Sequence, residues 1–247
     1  MCTGERFGIV VQARLNSSRL PRKALHPIRG KSLLYRLCDR MTQSREAQTL
    51  LVATSDQPQD KEIQEVCRAR GIPVFRGPER DLTSRLLGAA QAHNLTAFVR
   101  VTGDNPLTDP EGIDELISTF RADGADYVHN AHRSGYPYGT GAEVVRTSAL
   151  ARCDRELQDE DERENFIIFM RQHPDTFPCV RLSAPAHLLR PEYFLTVDYQ
   201  EDVQLMSRIY AEFDGRDDVK LTNIIDFLDA NPKVAALNRY RHSQFPE

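Results

Sequence analysis

The 247-residue sequence predicts an α/β protein with a largely parallel sheet covered on both faces. Two observations carry that reading. Over the first 125 residues, short apolar runs rich in β-branched residues alternate with amphipathic helical patterns, and Gly, Pro or Asp punctuates the junctions. Strands separated by helices of that length imply right-handed crossovers between parallel neighbours.

The elements follow in order. Phe7–Gln12 reads as a fully buried strand, followed by a polar loop. After the breaker Pro27-Ile28-Arg29-Gly30, "SLLYRLCDRMTQS" places Leu33, Leu34, Leu37 and Met41 on one helical face. "TLLVATS" is a second strand, "QPQDKEIQEVCRARG" a helix stopped by Gly71, and "IPVFRG" a third strand. "DLTSRLLGAAQAHN" is helical and "TAFVRVTGD" is a fourth strand. "DPEGIDELISTFRADG" is a helix opened by an Asp cap with Pro and closed by Gly. The rhythm then changes. "SGYPYGTGAE" is a flexible loop leading into the strand "EVVRT", and an excursion from the sheet occupies about 130–190. "DRELQDEDERENFIIFMRQH" reads as one acidic helix with Phe166, Ile167, Phe169 and Met170 as its apolar side and its charges as a solvated face. "YFLTVDYQEDVQLMSRIYAEF" reads as a strand, a sharp turn at Asp198 and an amphipathic helix, and the tail "RYRHSQFPE" as a frayed end. The whole is expected to be one domain with this appendage.

Composition narrows the function. Hydrophobic content of 40%, charged content of 28% and the lack of a long apolar run point to a soluble protein, and the N-terminus lacks a signal-peptide pattern, so a cytoplasmic location is expected. The five cysteines are scattered without a C-x-x-C pair, which argues against a disulfide framework or a zinc site. His129 and His132 lack companion ligands nearby.

Charge is unevenly distributed. The chain carries a net charge of −4, yet no Asp or Glu occurs between Arg6 and Cys38, a stretch holding Arg14, Arg19, Arg22 and Lys23. In a parallel α/β sheet, ligands bind beyond the carboxyl ends of strands, where this loop lies. Arginine forks and a compact lysine suit a polyphosphate, and Ser17 and Ser18 can complete a cradle. The loop has neither a P-loop nor a dinucleotide fingerprint. A nucleic-acid surface would spread its basic residues and raise the pI, whereas the pI is about 6.0, so no nucleic-acid partner is expected. Asp104 in "RVTGDNPL" and Asp198 in "LTVDYQED" stand at strand ends, a pair sufficient for magnesium alongside phosphate oxygens and water.

"QARLNSSRLPRKALHPIRGKSLL" resembles the A-R-x-x-S-x-R-L-P-x-K signature of the CMP-sugar synthetases, and most of all their spore-coat-polysaccharide branch. "VATSDQPQD", "VRVTGDNPLTDP", "DYVHN", "YPYGTGAEV" and "LTVDYQEDVQLM" extend the resemblance in order along nearly the whole chain. It implies a nucleotidyltransferase of the glycosyltransferase-A-like fold that uses CTP and Mg2+ and forms a homodimer through the excursion. Carried over by position, Arg14, Ser17, Arg19 and Lys23 would hold the CTP phosphates, with Arg19 and Lys23 catalytic. Arg85 would lie near the nucleotide and Thr102 where a base contact is made, and Asp104 and Asp198 would hold the metal. The acceptor region departs from the branch: where the branch has "YPDGLDVEV", Tyr138 and Gly141 replace two aspartates, and Asn165 and Ile168 replace a histidine and a proline. Asn130, Tyr136, Glu143, Arg163 and Asn165 are the acceptor candidates. The implied reaction is CMP transfer to an anionic sugar acid or sugar-like acceptor. The alternatives are a phosphonate or polyol phosphate acceptor, and a non-catalytic CTP-binding regulator.

Overall fold

The structure is a computed structural model that describes residues 4–131 and 133–242. Cys2, His132 and the last five residues of the tail therefore lie outside the described residues.

A seven-stranded sheet organises the chain. Its strands are β1 (Phe7–Gln12), β4 (Thr49–Ser55), β5 (Val74–Gly77), β6 (Ala97–Thr102), β7 (Tyr127–His129), β8 (Glu143–Arg146) and β9 (Cys179–Arg181), in the order β5-β4-β1-β6-β8-β7-β9. The strands from β5 to β6 are mutually parallel; only β8 runs against its neighbours, β6 and β7, and β9 lies parallel to β7. A two-residue hairpin, β2 (Pro27–Ile28) with β3 (Lys31–Ser32), leads into α1 (Leu33–Met41).

Side-chain alternation along the strands feeds two cores. Phe7, Ile9 and Val11 of β1 face α1, α2 (Lys61–Arg68) and α4 (Pro110–Asp123), while Val10 faces the opposite side with α3 (Leu82–Ala92) and α5 (Thr147–Glu156). Asp109 caps α4 by accepting a hydrogen bond from Gly112 N at 3.1 Å, and Gly124 ends it at φ +77°. A third apolar cluster lies beyond the sheet, where α8 (Gln200–Glu212), α9 (Leu221–Ala230) and α10 (Pro232–Ala235) pack against Ile28, Leu33, Leu195 and Val197.

Several expectations need revision. Helix α1 buries the expected Leu33, Leu34, Leu37 and Met41, but also Arg36 and Arg40, so it is enclosed on more than one side. Arg36 lies 3.9 Å from the Tyr210 ring centroid and donates to Ile28 O, while Arg40 donates to Thr108 O and Val219 O; backbone carbonyls thus engage guanidiniums that a pattern of apolar residues leaves unassigned, although Arg40 Nη2 stays buried without a partner among the described residues. The acidic run is not one helix. It breaks into the end of α5, α6 (Glu160–Glu164) and α7 (Phe166–Gln172), because Asp159 caps a new start and Asn165 leaves helical geometry. Tyr193–Val197 is extended but forms no ladder beyond an isolated bridge between Tyr138 and Phe194; Leu195 N donates to Tyr138 O and Val197 N to Asp104 O, so loops rather than a strand satisfy it. The described part of the tail is not frayed: Arg239–His242 forms α11 and His242 is buried against Asp202.

Among the described residues no helix is long and apolar enough to cross a membrane. Cys38, Cys67, Cys153 and Cys179 are free thiols, and burial raises the pKa of each, that of Cys67 to about 11, so they are held protonated and poorly nucleophilic.

Candidate active site

The sheet order reverses between β1 and β6, and the crevice beyond their carboxyl ends is where an open parallel sheet binds ligands. Gly103 keeps the two chain exits close: its N–H donates to Gln12 O at 2.8 Å, and a Cβ there would stand 2.8 Å from that same oxygen. A cavity of about 290 Å³ opens over this junction. Arg14, Ser17, Arg19, Lys23, Arg85, Thr102 and Asp104 all line it, so residues spread over 90 positions of sequence meet at one place.

The basic loop is not unbalanced in three dimensions. Lys23 Nζ donates to Asp104 Oδ2 and Asp198 Oδ1, both at 2.7 Å, and Arg19 Nη2 pairs with Asp198 Oδ1 at 2.7 Å. Arg14 pairs with Glu164 at 2.9 Å, and Arg22 turns away from the cavity to Glu62 at 2.6 Å. Buried Asp60 fixes the loop's backbone, accepting from Leu15 N at 2.7 Å and from the Ser55 hydroxyl. Burial alone would lower the pKa of Lys23, but Asp104 and Asp198 outweigh it and raise the value above 10.5, so the ammonium is secure. Arg19 shows the same contest, burial against Asp198, with the same upward outcome. The pKa of Arg85 is lowered by burial; it donates to Glu79 O at 2.9 Å and holds the 78–79 turn, while its Nε is buried without a partner among the described residues.

Asp198 is itself held in place. Asp202 Oδ2 accepts from the backbone N–H groups of Asp198 and Tyr199, both at 2.8 Å, at the start of α8, and its Oδ1 accepts from Asn238 Nδ2 at 2.7 Å and meets His242 Nε2 at 2.9 Å. The result is two carboxylates converging on one point with their backbone fixed. That all-oxygen pair suits Mg2+, which takes one or two carboxylates and completes its octahedron with phosphate oxygens and water. Among the described residues no cluster of three or more His, Cys, Asp or Glu side chains could hold a metal ion unaided.

A second, larger cavity of about 1050 Å³ adjoins the first through Thr102, which lines both. Of the acceptor candidates, Tyr136 and Glu143 line it. Asn130 is buried behind it, its Oδ1 accepting from Ala142 N at 2.8 Å. Arg163 and Asn165 are not among its lining residues. Arg163 pairs with Asp81 at 2.6 Å and with Asp154 at 2.5 Å, fastening α6 to the start of α3, and Asn165 is exposed and donates to Asp161 O. Gly141 lies flat on the neighbouring chain: a Cβ would stand 2.7 Å from Asn130 O and Ala131 Cα, so no aspartate fits there with this backbone.

The sequence reading missed Asp60, Asp202 and Glu164. The first two resemble ordinary helix-start residues until their partners are seen. Glu164 belongs to the acidic run, whose Glu160 and Asp161 are indeed exposed, yet Glu164 turns into the cavity wall.

With this geometry in view, sequence and structural comparisons decide the family. The profile described as "Cytidylyltransferase" matches residues 8–227. The chain belongs to the cytidylyltransferase family. It is 33% identical over 231 residues to the spore coat polysaccharide biosynthesis protein SpsF of Bacillus subtilis, covering 92% of this chain and 95% of that one. It is 37% identical over 131 residues to the 3-deoxy-manno-octulosonate cytidylyltransferase of Neisseria meningitidis, 51% of this chain and 50% of that one. Among solved structures, a cytidylyltransferase from Leptospira borgpetersenii superposes with a TM-score of 0.88 at 26% identity, covering 94% of this chain and 97% of that one. The α/β nucleotidyltransferase fold expected from the sequence is therefore the fold of this cytidylyltransferase.

Proposed function

We propose that this cytidylyltransferase transfers CMP from CTP to an anionic sugar acid or sugar-like acceptor, releasing pyrophosphate, in surface polysaccharide or glycoconjugate biosynthesis. The observation that carries the reading is the convergence of Arg14, Ser17, Arg19, Lys23, Arg85, Thr102 and Asp104 on one cavity at the sheet's reversal, with a larger cavity beside it. The biosynthetic context of SpsF and the sugar-acid substrate in the name of the Neisseria relative support the acceptor class.

In this reading an acceptor oxygen forms a bond to the α-phosphorus of CTP while the bond to the bridging oxygen breaks. Pyrophosphate leaves with that electron pair, and the acceptor's hydroxyl proton passes to solvent. Negative charge grows on the leaving oxygens. Arg19 and Lys23, whose raised pKa values keep them cationic, stabilise it where it develops, each contributing about 3 kcal/mol to the lowering of the barrier. Arg14 and Ser17 hold the remaining phosphate oxygens, Arg85 shapes the nucleotide wall through the 78–79 turn, and Thr102 stands between nucleotide and acceptor. Mg2+ held by Asp104 and Asp198 would supply Lewis-acid neutralisation of phosphate charge. The reaction needs no protein nucleophile, in keeping with protonated thiols. The reading includes a cytoplasmic homodimer, with Ile168 standing 47% exposed on α7 within the segment assigned to subunit contact.

Arg19→Ala tests the phosphate cradle. CTP affinity measured by calorimetry, or turnover, is expected to fall at least tenfold, about 1.4 kcal/mol or more, with an unchanged circular dichroism spectrum. Unchanged binding and turnover in a folded variant would remove Arg19 from the site.

A further inference from the structure

The larger cavity has an uncompensated charge on its floor. Arg100 and Glu143 are directly opposite one another on β6 and β8 and form an ion pair there. Both oxygens of Glu143 are engaged, Oε2 by Arg100 and Oε1 by the Tyr127 hydroxyl at 2.8 Å, and Arg100 Nε donates to Gln12 Oε1 at 2.9 Å. That pair is electrically closed. Arg171 on α7 lines the same cavity, and among the described residues its side chain makes only a 3.3 Å bond from Nε to Ile167 O in its own helix. Among the described residues its Nη1 is buried with no hydrogen-bond partner and no carboxylate lies within ion-pair distance of it.

A buried charged donor left without an acceptor is costly, and guanidinium donors are matched to carboxylate and phosphate oxygens. The cavity is lined by Arg100, Arg133, Arg171 and Arg239 against Glu143 and Glu192, so positive charge is in excess. Tyr136 and Phe194 provide apolar wall, and Thr102 opens the cavity toward the nucleotide. We propose that Arg171 is the residue that recognises the acceptor's anionic group, which the sugar-acid reading makes a carboxylate. Arg163, which the sequence suggested for this task, is occupied by Asp81 and Asp154. Glu143 with Arg100 and Tyr127 is then a preset platform that positions the acceptor beside Arg171. The assignment rests on the cytidylyl-transfer reading, which places the acceptor beside the nucleotide.

Calorimetry on the full chain separates the two. CTP is titrated first into wild type, Arg171→Met and Arg171→Lys. Then, with CMP saturating the nucleotide cavity so that no transfer can occur, 3-deoxy-manno-octulosonate, N-acetylneuraminate and glucuronate are titrated, each beside its neutral methyl ester, with glucose 1-phosphate as the dianion. The assignment predicts that wild type binds at least one acid tenfold or more tightly than its ester and more tightly than glucose 1-phosphate. Arg171→Met removes that preference at unchanged CTP affinity, and Arg171→Lys retains part of it. Failure of every acid to outbind its ester in wild type, or a preference that survives Arg171→Met, overturns the role of Arg171. A preference for glucose 1-phosphate over every acid overturns the carboxylate assignment. Loss of CTP binding by wild type would instead strike the function proposed above.

Discussion

Lys23→Met removes the one ammonium that bridges Asp104 and Asp198 while keeping the aliphatic stem. The Lys23 side chain is only 16% exposed and makes two charge-assisted hydrogen bonds of 2.7 Å. Bonds to charged groups contribute roughly 1.5–3 kcal/mol each, and the variant also leaves two carboxylates close together. Arg19, 2.7 Å from Asp198, remains to neutralise one of them, so the expected loss is at the lower end, about 3 kcal/mol for the pair of bonds. For a domain of this size that is a fall in Tm of about 6–12 °C. The pKa of Lys23 is raised in the fold, so its contribution is complete at every pH below the ordinary 10.5 and disappears only as pH rises through the higher folded value. Melts at pH 7 and pH 9 should therefore show the same deficit. Added MgCl2 should recover part of it in the variant, by supplying a cation to the same carboxylates. Thermal unfolding followed by circular dichroism, with and without MgCl2, is the assay. A variant that melts within about 1 °C of wild type would show that the bridge is not what holds these carboxylates together.

Other expectations follow from the same contacts. Asp202→Asn should reduce kcat more than tenfold with a smaller change in the KM for CTP, because the residue acts by fixing Asp198; equal fractional changes in both would argue against positioning. Gly103→Ala places a carbon 2.8 Å from Gln12 O, and denaturant unfolding should show a loss of roughly 1–3 kcal/mol together with weakened CTP binding. Arg163→Ala should lower stability by about 1–2 kcal/mol while leaving the acceptor KM unchanged; a large rise in that KM would return Arg163 to the acceptor site. Burial alone would raise the pKa values of Glu143 and Asp202, but Arg100 and His242 with their companions outweigh it, so both are held below their ordinary 4.5 and 3.8. Their contribution is present above those values and lost as pH falls through the lower folded ones, so stability should hold from pH 7 to 5 and decline below about pH 4.5. Urea midpoints across that range check it, and Glu143→Gln should flatten the decline.

How much of this was legible in the sequence depends on the range of the interactions. The parallel strands were legible because Phe7–Gln12 and Thr49–Ser55 are short β-branched runs between helical patterns, and burial on both faces demands that composition. The cradle was legible because seven basic residues without an acid between Arg6 and Cys38 is a local anomaly next to a strand end. Its counter-charges were not, since Asp198 lies 175 positions from Lys23 and Glu62 lies 40 from Arg22. No local pattern announces a pairing set by topology. The extended Tyr193–Val197 segment looks like a strand because Leu195 and Val197 are buried, but their apolar partners are the C-terminal helices and their amides are satisfied by loops. Arg163 illustrates the converse. An arginine in an acidic run suits an anionic ligand on composition alone, and only geometry shows it committed to Asp81 and Asp154, whereas Arg171 eight residues later has a buried nitrogen to spare.

The most direct test of the central claim is pyrophosphate release by the purified protein with Mg2+ and each of CTP, ATP, GTP and UTP, against a panel of sugar acids, phosphosugars and phosphonates. The account predicts release with CTP alone among the nucleotides, dependent on a carboxylate-bearing acceptor and abolished by EDTA. Release driven equally by ATP or GTP, or no release with any acceptor from a protein that binds CTP tightly, would contradict it.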